Sequence, residues 1–305
     1  MQKERVWRIL PERVRHVLDQ EIKDYDDLQE IKLRTGQPLL IRCLGEEKIP
    51  GGGHPYIVTA RDVREAVDYT SNYSLYACEE EMRQGFITIE GGHRVGMTGQ
   101  VILDGGHVKN LKYISSVNIR ISHEVQGCAD KVMPYVTRNR QIAHTLILSP
   151  PGCGKTTLLR DMVRQISDGS YLVKGMTVGV VDERSEIAGC YRGVAQNHLG
   201  IRTDVLDGCP KAEGMLMLIR SMTPKVVAAD EIGTKEDVEA IEYAMHCGCR
   251  ILVTAHGNSV QELKKKPVLG RLIQEERFER YIVLKQGDRP GMIEGIYDRR
   301  GQPCC

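Results

Sequence analysis

One short stretch, from Ser149 to Thr157, constrains the fold of this chain more than any other feature. It reads Ser-Pro-Pro-Gly-Cys-Gly-Lys-Thr-Thr and matches the phosphate-binding pattern GxxxxGK[ST], except that Ser149 replaces the first glycine. An apolar run begins at Thr145 and leads into the loop, and a helical pattern follows it. The backbone N–H groups of such a loop, with the helix N-terminus, hold phosphate oxygens. The stretch therefore predicts a nucleotide site on an α/β sheet.

The predicted nucleotide contacts are the residues of this loop: Ser149, Pro150, Pro151, Gly152, Cys153, Gly154, Lys155, Thr156 and Thr157. Lys155 would neutralise the β- and γ-phosphates, which makes it a predicted catalytic residue. Thr156 would place its hydroxyl on Mg²⁺. We therefore expect ATP and Mg²⁺ as cofactors.

A second signal lies downstream, where an apolar run from Val226 to Ala229 ends in Asp230 and Glu231. Such acids stand at the carboxyl end of a buried strand, which is the edge where ligands bind in open α/β sheets. Asp230 would hold Mg²⁺, directly or through water, and Glu231 would polarise the attacking water. The run predicts the catalytic acidic pair of an ATPase.

A GTPase is an alternative to an ATPase, since the four residues from Asp230 fit DxxG and Thr234-Lys-Glu-Asp237 resembles a guanine-reading TKxD motif. In GTPases the guanine-reading loop follows a further strand, whereas here the two segments abut. The spacing therefore favours an adenine nucleotide.

The chain divides near residue 140 into a smaller N-terminal α+β domain, 1–140, and an ATPase domain, 141–305. In the first part, hydrophobic spacing and turn residues predict these elements: a helix over 4–22, a hairpin around 35–38, a helix over 60–69 capped by Thr59, a helix over 73–83, several strands over 86–125 and a helix over about 129–138.

Strands and helices alternate in the second part. The predicted strands cover 145–148, 176–181, 226–229, 250–254, 281–284 and 292–297, and the predicted helices cover 156–167, 212–221, 238–245 and 268–276. Apolar strands separated by helices indicate an α/β fold with a mostly parallel sheet covered on both faces.

Composition limits the cellular locations and the classes of partner that this chain can be expected to have. Lys plus Arg (42) nearly cancels Asp plus Glu (41), and aromatic residues make up only 5%, so neither a global field nor stacking surfaces favour nucleic acid as a partner. The sequence shows neither a signal peptide nor an apolar run long enough to span a bilayer. The ten cysteines lack the CxxC spacing of zinc sites. We expect a cytoplasmic protein with reduced thiols.

Further segments resemble a known family. Val180 to Gly189, Gly200 to Met215 and Gly91 to Gly96, together with the phosphate loop, look like the stage III sporulation protein AA family of endospore-forming bacteria. That family is similar in turn to the traffic ATPases of type II and type IV secretion systems. The resemblance covers nearly the whole chain.

The resemblance implies an N-terminal domain followed by a RecA-like P-loop ATPase domain, assembled as a homo-oligomer, expected to be a hexamer. It also implies a motor in the mother-cell cytoplasm, peripheral at the membrane that faces the forespore. Its partners would be membrane proteins of the channel that links the two cells, and ATP hydrolysis would power or assemble that channel.

The resemblance also carries individual roles. Asp182, Glu183 and Glu186 fall where traffic ATPases have an acidic box that orders Mg²⁺ and water, so Asp182 is expected near the metal and Glu183 in catalysis. His256 matches their histidine box and would sense the γ-phosphate. The position held by Asp230 is commonly glycine in traffic ATPases, which leaves open which acid is the catalytic base.

Arginines complete the expected site. N-terminal-domain arginines of traffic ATPases can reach the nucleotide, and Arg94 and Arg120 occupy the comparable β-rich segment. Arg202 is a further candidate. A guanidinium at that place would offset the charge that builds on the transferred phosphate.

Three alternatives stay open. A nucleic-acid-dependent RecA-like ATPase would share the same nucleotide motifs. A nucleotide-binding switch or scaffold would bind ATP and hydrolyse little of it. A small-molecule kinase is a more distant alternative, because the sequence has no arginine cluster of the kind found in a lid.

Overall fold

The computed structural model of the chain describes residues 2–74, 78–83, 85–287 and 291–304. It divides into two compact units, Met1–His123 with Gly189–Gln196, and Glu124–Ala188 with Asn197–Cys305. The first unit thus ends before the domain boundary expected near residue 140, and it takes in one short segment from the second half of the chain. Within the described ranges, every helix is too short or too polar to cross a membrane.

The first unit packs helices on an antiparallel sheet. Its elements are α1 (Gln2–Arg8), α2 (Glu12–Glu21), β1 (Leu28–Arg34), β2 (Leu40–Cys43), β3 (Glu46–Lys48), α3 (Ala60–Thr70), α4 (Glu79–Arg83), β4 (Phe86–Ile89), β5 (His93–Asp104) and β6 (His107–Arg120). The six strands lie in the order β3-β2-β1-β6-β5-β4. Apolar residues of α1, α2 and α3 share one core with the sheet. This is the expected α+β domain, and the predicted hairpin is β1 with β2.

The single helix predicted over 4–22 is wrong, because the structure has two helices separated near Pro11. A proline disfavours helical backbone at the residue before it, so α1 ends at Arg8, while Pro11 itself precedes α2 with φ −58°. Of the helix predicted over 73–83, the structure gives only α4 helical form, and residues 75–77 lie outside the described range.

The helix predicted after Thr59 is confirmed, and its cap is part of a buried charged cluster. The Asp62 carboxylate, fully buried, accepts hydrogen bonds from the Thr59 backbone N–H (2.8 Å) and from the Tyr56 hydroxyl (2.9 Å). Arg13 of α2 donates to it through Nε (3.0 Å) and Nη2 (2.9 Å). These partners outweigh burial and lower the pKa of Asp62. Asp62 therefore ties α2 to α3.

We expect Asp62→Ala to lower the free energy of unfolding of the first unit by about 1–3 kcal/mol, because it leaves the Thr59 backbone N–H and the Tyr56 hydroxyl without their acceptor, while Arg13 keeps its contact with Glu65. Because the folded pKa of Asp62 lies below its unfolded value, its stabilising effect is full above the unfolded pKa of about 4 and fades as pH falls towards the folded pKa. Trp7, the only tryptophan, lies in this unit's core, so its fluorescence in urea follows the transition. Asp68→Ala on the same helix is the control. Equal loss in both variants would contradict the role of Asp62.

The second unit contains the α/β sheet. Its elements are α5 (Met133–Val136), β7 (Thr137–Arg138), β8 (Gln141–Ile142), β9 (Thr145–Ser149), α6 (Lys155–Asp168), β10 (Val178–Asp182), β11 (Thr203–Asp207), α7 (Lys211–Met222), β12 (Val226–Ala229), α8 (Lys235–His246), β13 (Arg250–His256), α9 (Val260–Lys264), α10 (Gly270–Gln274), β14 (Arg280–Leu284) and β15 (Ile293–Asp298). Seven strands form the order β11-β10-β12-β13-β9-β14-β15, all parallel except β15 at one edge.

The sheet is buried on both faces. Every residue of β9, β10 and β12 is buried, in keeping with strands that are apolar apart from Thr145 and Ser149 at the ends of β9 and Asp182 at the end of β10. Leu146 and Leu148 of β9 join the core formed with α7, α8 and α10, while the intervening Ile147 is buried and points to the opposite face. The predicted mostly parallel α/β fold is confirmed, with the strands and helices predicted from residue 145 onwards matching to within about three residues.

One prediction in this unit needs correction, and two further elements, a strand and a short helix, had no predicted counterpart. Helical structure between 129 and 138 is limited to α5, which is followed directly by β7. The edge strand β11 was not predicted, because its residues are half-buried or exposed and two of them are aspartates. Nor was α9, a short helix of five residues whose start is set by the Ser259 cap.

Candidate functional site

The phosphate loop connects the carboxyl end of β9 to the first residue of α6. Gly152 and Gly154 have φ values of +76° and +89°, a backbone region that residues with a Cβ rarely adopt. A Cβ added at Gly152 would meet nothing within 4 Å, so its conformation, rather than lack of space, requires glycine there. The left-handed residue Gly154 immediately precedes α6, whose 14 residues begin at Lys155.

Lys155 is buried inside this loop. Only 5% of its surface is exposed, and its Nζ lies 3.3 Å from the Ser149 carbonyl oxygen, 3.2 Å from the Pro150 carbonyl oxygen and 3.2 Å from His256 Nδ1. Burial lowers its pKa, against the opposing attraction of Asp230 and Glu231. The ammonium group is thus surrounded by neutral acceptors, an environment that an anionic phosphate would improve.

Thr156 and Asp230 meet at the same edge of the sheet. The Thr156 hydroxyl donates to Asp230 Oδ2 at 2.5 Å, and the hydroxyl of Thr254 donates to Asp230 Oδ1. Burial raises the pKa of Asp230, so its anionic form is disfavoured in the surroundings it has here. Hydroxyl and carboxylate oxygens are the ligands that Mg²⁺ prefers, and a nearby cation would favour the carboxylate anion. These residues therefore fit the metal ion that ATP would bring.

Both carboxylate oxygens of Glu231 have partners. His256 Nε2 lies 2.9 Å from Oε1, and Arg184 Nη1 lies 2.8 Å from Oε2. An ammonium group can only donate, so Lys155 donates a hydrogen bond to His256 Nδ1, and the ring N–H is then on Nε2, facing Glu231. Hydrogen bonds thus run from Lys155 through His256 to Glu231, and a cavity of about 490 Å³ opens beside the last two.

Glu231 is also held in an uncommon backbone conformation. Its φ is +54°, a region in which non-glycine residues cost of order 1–3 kcal/mol. The backbone N–H of Glu231 donates to Thr254 Oγ1 at 2.9 Å, which holds the residue in place. Strain of this kind concentrates at sites where one side chain has to point in one direction.

The acidic segment after β10 adds two carboxylates with different surroundings. Asp182, which is 2% exposed, accepts hydrogen bonds from the backbone N–H groups of Glu186 (2.8 Å), Ile187 (2.9 Å) and Ala188 (2.7 Å). Asp182 therefore shapes the loop that carries Glu186, and its expected place near Mg²⁺ stays a prediction. Glu183 pairs with Lys211 at the start of α7, and its catalytic role likewise stays a prediction.

The arginines occupy two different places. Arg94 and Arg120 lie opposite each other on β5 and β6 of the first unit, and the Arg94 guanidinium stacks over the Phe86 ring at 4.4 Å. Their approach to a nucleotide stays a prediction. Arg202 donates to the Ser167 carbonyl oxygen at 2.8 Å, at the C-terminal end of α6. That end lies roughly 20 Å along the helix from Lys155, at 1.5 Å a residue.

Sequence reasoning overlooked Thr254, Arg184 and Lys211. Thr254 carried one signal, a polar residue at the end of the apolar run that β13 buries. The sequence carried no signal for Arg184 or Lys211. Arg184 contacts Glu231 and Lys211 contacts Glu183, and both pairs are far apart in the sequence, so only the folded structure brings them together.

Comparison with known proteins places the chain in a family. The family model described as "Sporulation stage III, protein AA" matches residues 1–304. The stage III sporulation protein AA of Bacillus subtilis (strain 168) is 44% identical over 295 residues, covering 96% of this chain and 94% of that protein.

Two solved structures share the fold. The match to the ATPase DotB of Legionella pneumophila covers 90% of this chain and 76% of the DotB chain, with a TM-score of 0.58 and 16% sequence identity. The pilus retraction motor PilT, solved with bound ADP, covers 89% and 76% with a TM-score of 0.56 and 17% identity. The chain therefore has the fold of the P-loop secretion ATPases, as the sequence predicted, and it belongs to the stage III sporulation protein AA family.

Proposed function

We propose that this chain is a Mg²⁺-dependent ATPase that works as an oligomeric motor, expected to be a hexamer, in sporulation. The observation that carries the proposal is the convergence of Lys155, Thr156, Asp230 and Glu231 at the carboxyl edge of one parallel sheet. The loop residues Ser149–Thr157 would hold the phosphates, and Thr156 with Asp230 would hold Mg²⁺. The family membership and the fold shared with DotB and PilT support the same function.

Each side chain has a separate task in this proposal. Lys155 neutralises charge on the β- and γ-phosphates, and the loop N–H groups orient them. Glu231 positions the attacking water and accepts its proton. Mg²⁺, when bound, supplies further neutralisation of the phosphate charge. His256 lies between Lys155 and Glu231, so a phosphate that draws Lys155 away would remove the donor at His256 Nδ1, on the ring whose Nε2 faces Glu231.

The cellular role rests on the family. A stage III sporulation protein with the fold of secretion ATPases suits a motor that powers or assembles the channel between mother cell and forespore. We propose that it acts in the mother-cell cytoplasm and docks on membrane proteins of that channel. PilT is a pilus retraction motor, so this fold performs mechanical work in that protein, which is consistent with the proposal.

The first test is steady-state ATP hydrolysis by the purified chain with Mg²⁺ and with EDTA, combined with light scattering with and without Mg·ATP. We expect turnover that falls to background in EDTA, because Thr156 and Asp230 are then left without the cation, and a larger particle when Mg·ATP is present. A well-folded chain that binds ATP and shows no turnover in Mg²⁺ would contradict the motor and favour the nucleotide switch.

A further inference from the structure

The second unit has an arginine-lined cavity that the proposed ATPase chemistry does not use. The cavity measures about 480 Å³, within the roughly 300–1,000 Å³ usual for ligand pockets, and we call it the arginine pocket. Its lining includes Arg138, Arg250, Arg280, Arg299 and Arg300, with Glu279 and Asp298. Five arginines against two carboxylates leave a local charge of +3, although the whole chain carries only +1.

The arginine pocket lies at the opposite edge of the sheet from the phosphate loop. Arg250 and Arg280 are the first residues of β13 and β14, and Arg280 is in register with Thr145, the first residue of β9. The phosphate loop follows the other end of β9. A ligand in the arginine pocket would therefore bind apart from the nucleotide.

Both acidic residues of the arginine pocket, Glu279 and Asp298, already have partners within the protein. Glu279 forms ion pairs through both carboxylate oxygens, Oε2 with Arg250 Nη1 at 3.2 Å and Oε1 with Arg299 Nη2 at 3.6 Å. Its Oε2 also accepts a hydrogen bond from the His144 backbone N–H at 3.0 Å. Asp298 Oδ1 accepts the backbone N–H groups of the turn that follows β15. These N–H groups lower the pKa of Asp298, and the Arg300 charge helps to lower it further. Glu279 is thereby occupied by Arg250 and Arg299, whereas Arg300, whose side chain is 76% exposed, lies 4.0 Å from Glu276.

The hairpin that contains Arg138 has a second arginine, Arg140, at a turn position where glycine is usually favoured. Arg138 pairs with Gln141 across a two-residue turn, and the turn residues Asn139 and Arg140 have φ values of +50° and +60°. The second residue of such a turn is most often glycine, so an arginine there keeps a cation at the tip despite its strain. Asn139 and Gln141, the chain neighbours of Arg140, line the pocket, so the turn carries a further cation next to lining residues.

We propose that the arginine pocket is a docking site for an acidic polypeptide segment of a partner protein. All five cations are arginines, whose planar forks pair with carboxylates in a bidentate geometry, and Glu279 already shows two of them turned towards one carboxylate. Glu279 thus shows that this lining accommodates a carboxylate, and binding of DNA instead is an outcome that the test distinguishes. The concave shape admits a peptide side chain and does not suit the flat surface of a lipid bilayer.

The test is fluorescence anisotropy of a fluorescein-labelled peptide of six glutamates with the full-length chain. We expect saturable binding that weakens with added salt and that Arg138→Glu weakens by at least about tenfold, since it replaces attraction with like-charge repulsion. Arg220→Glu, the same charge change at an exposed position on α7, is the matched control and should change affinity by less than about twofold.

Several outcomes would overturn the proposal. These are no peptide binding by the wild-type chain, equal weakening by Arg138→Glu and Arg220→Glu, or Arg138-dependent binding of single-stranded DNA or of phosphatidylglycerol vesicles without peptide binding. ATP turnover is measured on each variant and should stay within about twofold of the wild type, because Arg138 lies outside the nucleotide site. Failure of the docking site and failure of the ATPase are thereby read separately.

Discussion

Glu231→Gln is expected to lower the ATP turnover number by about 10²–10⁴ while leaving ATP binding within a few-fold of the wild type. The amide keeps the shape of the side chain and can still accept from His256, but it cannot take a proton from water. Asp230, Thr156 and Lys155 stay in place, so the phosphates and Mg²⁺ would still be held. Binding is measured with a fluorescent ATP analogue, and turnover by phosphate release under saturating ATP.

The matched control for Glu231→Gln is Glu239→Gln on α8, where the carboxylate is 62% exposed and pairs with Lys235 at 3.5 Å. That variant should keep turnover within about twofold, since exposed pairs of this kind contribute little. Turnover preserved in Glu231→Gln would sink the assignment of Glu231 as the base. Attention would then move to Glu183 and Glu186, the carboxylates of the acidic segment.

The pieces of the site that sequence could predict are those with strong local signals. A glycine-rich loop between a strand and a helix, and two acids after a buried strand, both depend on neighbours in sequence. The parallel topology brings Thr156 and Asp230 to one edge, because the carboxyl ends of parallel strands meet there. The fold class followed from the same alternation of apolar strands and helices.

The sequence alone could not predict the register in which strands distant along the chain pair with each other. Ala229 of β12 pairs with Val253 of β13, which puts Thr254 level with Asp230 and gives its hydroxyl two roles at once. No pattern in a single strand contains that alignment. The arginine pocket shows the same limit, because its arginines are separated by up to about half of the chain and meet only where strand ends and turns converge.

Lys155→Met should have the second large effect, and it separates function from stability. Loss of the ammonium is expected to weaken ATP binding by about 10- to 100-fold, the size of a charged hydrogen bond to phosphate, and to lower turnover by at least about 100-fold. The free energy of unfolding should stay the same or rise by about 1 kcal/mol. Lys155 is buried and donates hydrogen bonds to neutral acceptors, and burial lowers its pKa more than the attraction of Asp230 and Glu231 raises it, so the folded state disfavours this charge.

The control for Lys155→Met is Lys265→Met, which removes an exposed ammonium after α9 and should leave binding and turnover near wild type. Urea denaturation followed by far-ultraviolet circular dichroism gives the unfolding free energy of each variant. A clear drop in the stability of Lys155→Met would mean that the lysine helps to hold the empty loop together. The lost binding would then reflect a collapsed phosphate site, whereas unchanged or higher stability with lost binding assigns the lysine to the nucleotide alone.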